Sequence, residues 1–215
     1  ETQSMACFAG RRHAVFCMFT PAAFMEHALD ALLTSVAAVG LAEIGDKTQL
    51  LSLLLVARYR RPWPVLWAIL FATLINHGLS AWLGAELIRL VDEQVMRLIL
   101  GVAFVGVGLW LLKPDGEEML EAGPPGRGVF FTAFVLFFLA EIGDKTQVAT
   151  VLLGAQFLSV MTVTLGSTLG MLVANAPVLW LGQRFCERLP IRWIQYSASL
   201  LFIILGGWII VTETW

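Results

Sequence analysis

Two copies of one nonapeptide, Leu-Ala-Glu-Ile-Gly-Asp-Lys-Thr-Gln, stand at Leu41–Gln49 and Leu139–Gln147. Each puts a glutamate, an aspartate and a lysine inside a run otherwise apolar enough to cross a membrane. An ionised group at that depth is costly unless it pairs or binds something, so an intramembrane carboxylate marks a functional site by default. Two identical copies point to one site built from two halves.

The donor types narrow the chemistry. Glu43, Asp46, Glu141 and Asp144 offer carboxylate oxygens, and Gln49 and Gln147 offer amide oxygens. Oxygen donors without cysteine, and with at most one histidine nearby, suit Ca²⁺, Mn²⁺ or Mg²⁺ rather than Zn²⁺ or copper. Mg²⁺ keeps its waters more tenaciously, which inclines an all-protein site towards Mn²⁺ or Ca²⁺. Each motif carries −2 from its acids and +1 from its lysine, so the pair sums to −2. One divalent cation neutralises that, and so do two protons, which suggests a proton-coupled divalent exchange.

A purely structural role competes with this. Glu43 with Lys47, and Glu141 with Lys145, stand four residues apart and would make buried salt bridges on a continuous helix. A packing role needs compensated charge, however, not nine identical residues twice. On such a helix Glu43, Asp46 and Lys47 fall within an arc of about 100°. Gln49 extends that stripe, while Thr48 points elsewhere, towards backbone; Glu141, Asp144, Lys145, Thr146 and Gln147 repeat the pattern. Gly45 allows close helix approach or a local break.

Weaker polar signals lie nearby. Asn76, His77 and Asn175 are mid-span, and asparagine carbonyls could complete an oxygen shell as readily as they bond neighbouring helices. His77 reads as a packing residue before a proton shuttle. Gly166 and Gly170 read as a helix-packing pair, as do Gly101, Gly106 and Gly108. Pro177 is expected to break its helix near the site.

The elements that must hold these groups are membrane helices. The chain has 215 residues, 58% hydrophobic and 14% charged, with a mean hydropathy of +0.79; soluble domains carry about one-quarter charged residues. The three cysteines, Cys7, Cys17 and Cys186, have no paired spacing, so neither a disulfide framework nor a cysteine metal site is indicated. Six spans of about 20 residues are expected: 31–57, 64–88, 95–112, 129–155, 158–182 and 191–211. Trp63, Trp67, Trp110, Trp193 and Trp208 fall near span ends, as interfacial anchors do.

The repeat reaches beyond the nonapeptide. At a constant offset of 98, Trp82-Leu83-Gly84 matches Trp180-Leu181-Gly182, and Phe104, Gly108 and Trp110 match Phe202, Gly206 and Trp208. Three spans per unit force the second copy to enter from the opposite side. The expected fold is therefore an all-α integral membrane protein of six transmembrane helices, arranged as two inverted three-helix repeats. Transporters of this plan bind substrate near the midplane. The expected organisation is an extension over 1–24 without functional role, repeats over 25–112 and 129–215, and a linker over 113–128. Arg11-Arg12 and the short apolar run after it resemble a signal peptide only loosely, because Pro21 follows.

Basic residues orient the chain. With the first helix starting outside, cytoplasmic loops hold Arg58, Arg60, Arg61, Lys113, Arg127, Arg184, Arg188 and Arg192, against Arg89 and Arg97 outside. Both termini are expected on the external, periplasmic side.

The doubled Glu-Ile-Gly-Asp-Lys-Thr resembles the signature of the Gdt family, membrane proteins marked by Glu-x-Gly-Asp-Lys/Arg-Ser/Thr. The resemblance runs from Met25 to the C-terminus. It implies cation/proton exchange of Mn²⁺ or Ca²⁺ with Glu43, Asp46, Glu141 and Asp144 as the ion-binding acids. The compact chain and short loops resemble bacterial members, which implies manganese export across the inner membrane. The partners implied are a divalent cation, protons and the lipid bilayer; no nucleic acid, enzymatic cofactor or particular oligomer is implied. Two other classes stay open. An intramembrane aspartyl protease would use Asp46 and Asp144, but Glu43 and Glu141 stand where its Gly-x-Gly-Asp needs glycine. An exporter of a small organic cation would need an aromatic cage, and none clusters beside the motif.

Overall fold

The computed structural model describes residues 21–90, 93–113, 128–182 and 190–212. Residues 1–20 of the expected extension, 114–127 of the expected linker, all three cysteines and Arg127, Arg184 and Arg188 lie outside the described residues. Among the described residues eight α-helices follow one another: α1 (Pro21–Glu43), α2 (Lys47–Tyr59), α3 (Pro62–Leu87), α4 (Glu93–Leu111), α5 (Val129–Glu141), α6 (Lys145–Phe157), α7 (Val160–Leu181) and α8 (Ile191–Thr212). A short 3₁₀ turn, Ile88–Leu90, ends α3. No strand occurs among the described residues. Helix α1 starts at Pro21, so the boundary expected at Met25 falls inside it.

Two of the six expected spans are not single helices. The runs 31–57 and 129–155 each divide at the nonapeptide, into α1 and α2 and into α5 and α6. The reason is local. Gly45 and Gly143 take positive φ angles, 86° and 77°, a conformation that costs an L-residue about 1–2 kcal/mol and glycine almost nothing. Asp46 and Asp144 then follow in extended conformation as the N-cap residues of α2 and α6. The break would strand backbone groups, and the motif supplies their partners. Gln49 Oε1 accepts from the Gly45 amide at 3.0 Å, and Gln147 Oε1 from the Gly143 amide at 2.6 Å. The amides of Asp46 and Asp144 donate to the carbonyls of Glu43 and Glu141, both at 3.1 Å. The arc expected on a continuous helix therefore does not exist; Glu43 and Asp46 belong to facing ends of a broken one.

Among the described residues four helices are long and apolar enough to cross a membrane: Met25–Glu43, Pro62–Leu90, Val160–Leu181 and Arg192–Val211. Val95–Leu111 and Val129–Glu141 are apolar but shorter. Pro177 does not break α7, which runs through it to Leu181; its missing N–H leaves only the carbonyl four residues earlier, at Val173, without that donor.

The bundle is greasy outside, with Trp63, Trp67, Trp110, Trp193 and Trp208 all exposed. Its apolar core, with Phe104, Phe137, Phe202 and Met171 buried, also holds buried Ser, Thr and Asn and the motif acids. Lipid permits the exposed apolar surface, because helices there gain from close packing of small residues and from interhelical hydrogen bonds. Gly166 and Gly170 do pack helices: α1 crosses there so closely that a Cβ on Gly170 would lie 2.7 Å from the Val36 carbonyl. Helices α4 and α8 meet through Gly101, Gly108 and Gly206 and through Phe104 against Phe202, with ring centroids 5.9 Å apart. Gly106 has no neighbour within 4 Å of its would-be Cβ, so it takes no part in that packing.

The packing is unequal. Helices α3 and α6 touch backbone to backbone: a Cβ on Gly84 would lie 1.9 Å from the Val151 carbonyl, and one on Gly154 2.4 Å from that of Ala81. Gly182, the counterpart of Gly84, meets nothing within 4 Å among the described residues. Helix α6 buries eight of its 13 residues and α2 five of its 13.

Gly45→Ala and Gly143→Ala should each destabilise the protein by about 1–2 kcal/mol through the positive φ. Gly207→Ala, in open space on α8, should cost nothing. Thermal unfolding of the three variants in detergent checks this; equal midpoints would refute the strained-turn account.

Candidate functional site

The two helix breaks meet at the centre of the bundle. Glu43 and Glu141 close α1 and α5, and Asp46 and Asp144 open α2 and α6. All four are buried. An N-cap aspartate ordinarily turns back onto its own helix, but neither Asp46 nor Asp144 makes a side-chain capping bond. Their carboxylates sit beside the positive ends of α2 and α6.

Three acids form one group. Glu43, Asp46 and Asp144 each offer a carboxylate oxygen, and these atoms all lie within 4.8 Å of one another. Two come from the first motif and one from the second, so the cluster exists only where the copies meet. At that separation each ionised pair repels by roughly 3 kcal/mol at an effective dielectric of about 20. Such a cluster needs a cation, protons or both. Glu43 Oε1 makes no hydrogen bond among the described residues, which leaves a ligand-competent oxygen in the cluster.

Glu141 is placed differently. It is absent from the three-acid group and has His77 beside it, with Nε2 3.7 Å from Oε2 and both side chains fully buried. Sequence reasoning ranked His77 as a packing residue; its face-off with a motif glutamate was invisible because they lie on different helices and in different repeats.

The threonines are carboxylate partners rather than backbone ones. Thr48 Oγ1 donates to Glu43 Oε2 in a short hydrogen bond. Thr146 Oγ1 reaches both Glu141 Oε2 at 3.3 Å and Asp144 Oδ2 at 3.2 Å. The expectation that they point away assumed an unbroken helix. The helix break swings the chain so that Thr48 and Thr146 return to the acid that precedes the glycine.

Lys47 also departs from the i,i+4 pairing. Lys47 Nζ lies 3.0 Å from Asp144 Oδ1, an ion pair across the two motifs. Lys145 is buried and donates to the Lys113 carbonyl at 2.7 Å. Identical positions in identical peptides thus have different partners.

The amides hold helices. The oxygens of Gln49 and Gln147 are committed to the Gly45 and Gly143 amides, and Gln49 Nε2 donates to the Ala174 carbonyl at 2.8 Å. Asn76 Nδ2 donates to the Phe138 carbonyl at 3.1 Å. Asn175 Oδ1 accepts from Ser52 Oγ at 2.7 Å, while its Nδ2 donates to the Met171 carbonyl at 3.1 Å. For Asn175 the oxygen itself is engaged between helices, whereas for Asn76 the interhelical bond uses the amide nitrogen. Ser52, which sequence reasoning passed over, was hidden among the leucines of α2.

Comparison with known proteins adds an independent line. The family model described as "Divalent cation/proton antiporter GDT1" matches residues 31–119 and 129–214, two segments that each carry one nonapeptide. A Vibrio cholerae protein described as "Putative manganese exporter" is 45% identical over 185 residues, covering 84% of this chain and 90% of its own. GDT1-like protein 3 of Oryza sativa subsp. japonica is 28% identical over 200 residues, 81% of this chain and 71% of its own. GDT1-like protein 5 of Arabidopsis thaliana is 29% identical over 220 residues, 85% and 96%. No solved structure gives a significant match.

Thr146→Val removes the hydroxyl shared by Glu141 and Asp144 and should cost about 1–3 kcal/mol. Thr164→Val, which loses only a bond to the Val160 carbonyl of its own helix, should cost well under 1 kcal/mol. Chemical or thermal unfolding of both variants decides this.

Proposed function

We propose, from the premise that this chain belongs to the GDT1 family of divalent cation/proton antiporters, that it exports Mn²⁺, with Ca²⁺ as a second substrate, in exchange for protons. The family is one of transporters, not of enzymes. The observation that carries the reading is the buried group of Glu43, Asp46 and Asp144. Its donors are hard oxygens, which suits Mn²⁺ and Ca²⁺, and the relative in Vibrio cholerae is described as a manganese exporter.

Glu43, Asp46 and Asp144 bind the ion, and Glu141 completes the acidic set beside His77. Gln49 and Gln147 leave this ligand list because their oxygens hold the helix breaks. Asn175 leaves it because its oxygen accepts from Ser52, while Asn76, whose interhelical bond uses only its amide nitrogen, stays an accessory candidate.

In this reading α1 with α2, and α5 with α6, each make one composite span, and α3, α4, α7 and α8 make four more. The two three-span halves are inverted repeats, which puts both breaks near the midplane and both termini outside a bacterial inner membrane. Discontinuous helices at the midplane are a recurring device for ion sites in such transporters. Exchange proceeds by alternating access. The unequal packing supports this: the seam between α3 and α6 is closed at Gly84 and Gly154, while α2 is the more exposed half-helix. With the N-terminus outside, α6 seals the external face and α2 borders the cytoplasmic one.

In proteoliposomes with an acidic interior, Mn²⁺ uptake should follow the imposed proton gradient, and added Ca²⁺ should compete. Glu43→Ala, Asp46→Ala, Glu141→Ala and Asp144→Ala should each reduce that uptake to background. Full uptake in all four variants would remove the site assignment, and uptake indifferent to the gradient would leave a uniporter.

A further inference from the structure

Lys47 stands where the two motifs meet, and its place there carries a role. Lys47 opens α2, beside the positive end of the helix, where a basic side chain is disfavoured. Its stabilisation comes from acids instead. Its ammonium lies 3.0 Å from Asp144 Oδ1, and its side chain remains 31% exposed against 4% for Asp144. It reaches the acid cluster from the less enclosed half-helix, so it has room to withdraw.

We infer that Lys47 is a tethered cation that occupies Asp144 when the divalent ion is absent and is displaced from it when the ion binds. This rests on the cation reading above and assigns Lys47 a positioning and coupling role rather than a ligand role. The formal charges give the reason. Glu43, Asp46 and Asp144 together carry −3 when ionised, and Lys47 brings the group to −2. A carrier that has released its ion would otherwise return through the membrane with no cation against Asp144 Oδ1. With Lys47 on Asp144 the empty cluster is partly neutral, and protons complete the balance. An arriving divalent ion offers Asp144 twice the charge of the ammonium, so the exchange of partners favours the ion while keeping it releasable.

The test is Mn²⁺ binding to the purified full chain, followed by electron paramagnetic resonance or calorimetry, with no transport required. Removing a competing cation should tighten binding, so Lys47→Gln should bind Mn²⁺ about tenfold more tightly than the unsubstituted chain. Lys47→Arg keeps a cation on Asp144 and should stay within about threefold of the unsubstituted chain. Equal or weaker binding by Lys47→Gln would overturn the inference, because a lysine that merely orients Asp144 weakens the site when removed. Tightening by Lys47→Arg as large as that by Lys47→Gln would overturn it too. Absence of Mn²⁺ binding in the unsubstituted chain and in both variants would instead overturn the cation reading beneath it.

Discussion

Carboxylates buried together must be compensated, and much of this molecule is arranged around that requirement. Glu43, Asp46 and Asp144 sit within 4.8 Å of one another in a bundle whose outer surface is tryptophan, leucine and phenylalanine. Their mutual repulsion would push the two half-sites apart unless other interactions held them. Thr48, Thr146 and Lys47 each bring a hydrogen or a positive charge to these oxygens. Glycine crossings at Gly84, Gly154, Gly166 and Gly170 bring the carrying helices close enough for that to happen. Small residues in the seams and charge at the centre are two parts of one solution: close backbone approach supplies the packing attraction that the acids oppose.

The broken helix is the device that concentrates the acids. A continuous helix would spread a glutamate and an aspartate three residues apart along its flank. Breaking it at a glycine of positive φ turns both into end groups, one at a carboxyl terminus and one at an amino terminus. The amino-terminal ends of α2 and α6 then face the carboxylates with their positive dipoles. Gln49 and Gln147 make the break tolerable by taking over glycine amides that the interrupted helix would leave unpaired. The glutamate, glycine, aspartate, threonine and glutamine of each motif thus serve either the break or the acids beside it.

Identical sequence has not produced identical environments. Lys47 pairs with an acid of the other copy while Lys145 bonds a backbone carbonyl. Glu43 has Thr48 and the acid cluster, whereas Glu141 has Thr146 and His77. The residue aligned with His77 in the second half is Asn175, which turns to Ser52 and Met171. The asymmetry comes partly from such substitutions between the halves and partly from the closer seat of α6 against α3.

By itself the sequence determined the all-helical character, the duplication at an offset of 98 and which acids stand within the apolar runs, because apolar run length, repetition and the cost of buried charge are properties of composition and order. It also allowed, through Gly45, for a local break. It did not determine that the break occurs, since a glycine is compatible with either an unbroken helix or a turn and packing chooses between them. Nor could it pair Lys47 with Asp144, His77 with Glu141 or Ser52 with Asn175, all of which join residues far apart in the chain. The helical arcs for Thr48 and the lysines failed for one reason: a period is defined only while the helix continues. Which acid faces which base was left to tertiary structure, because only the crossing of separate helices brings the two motifs within reach of each other.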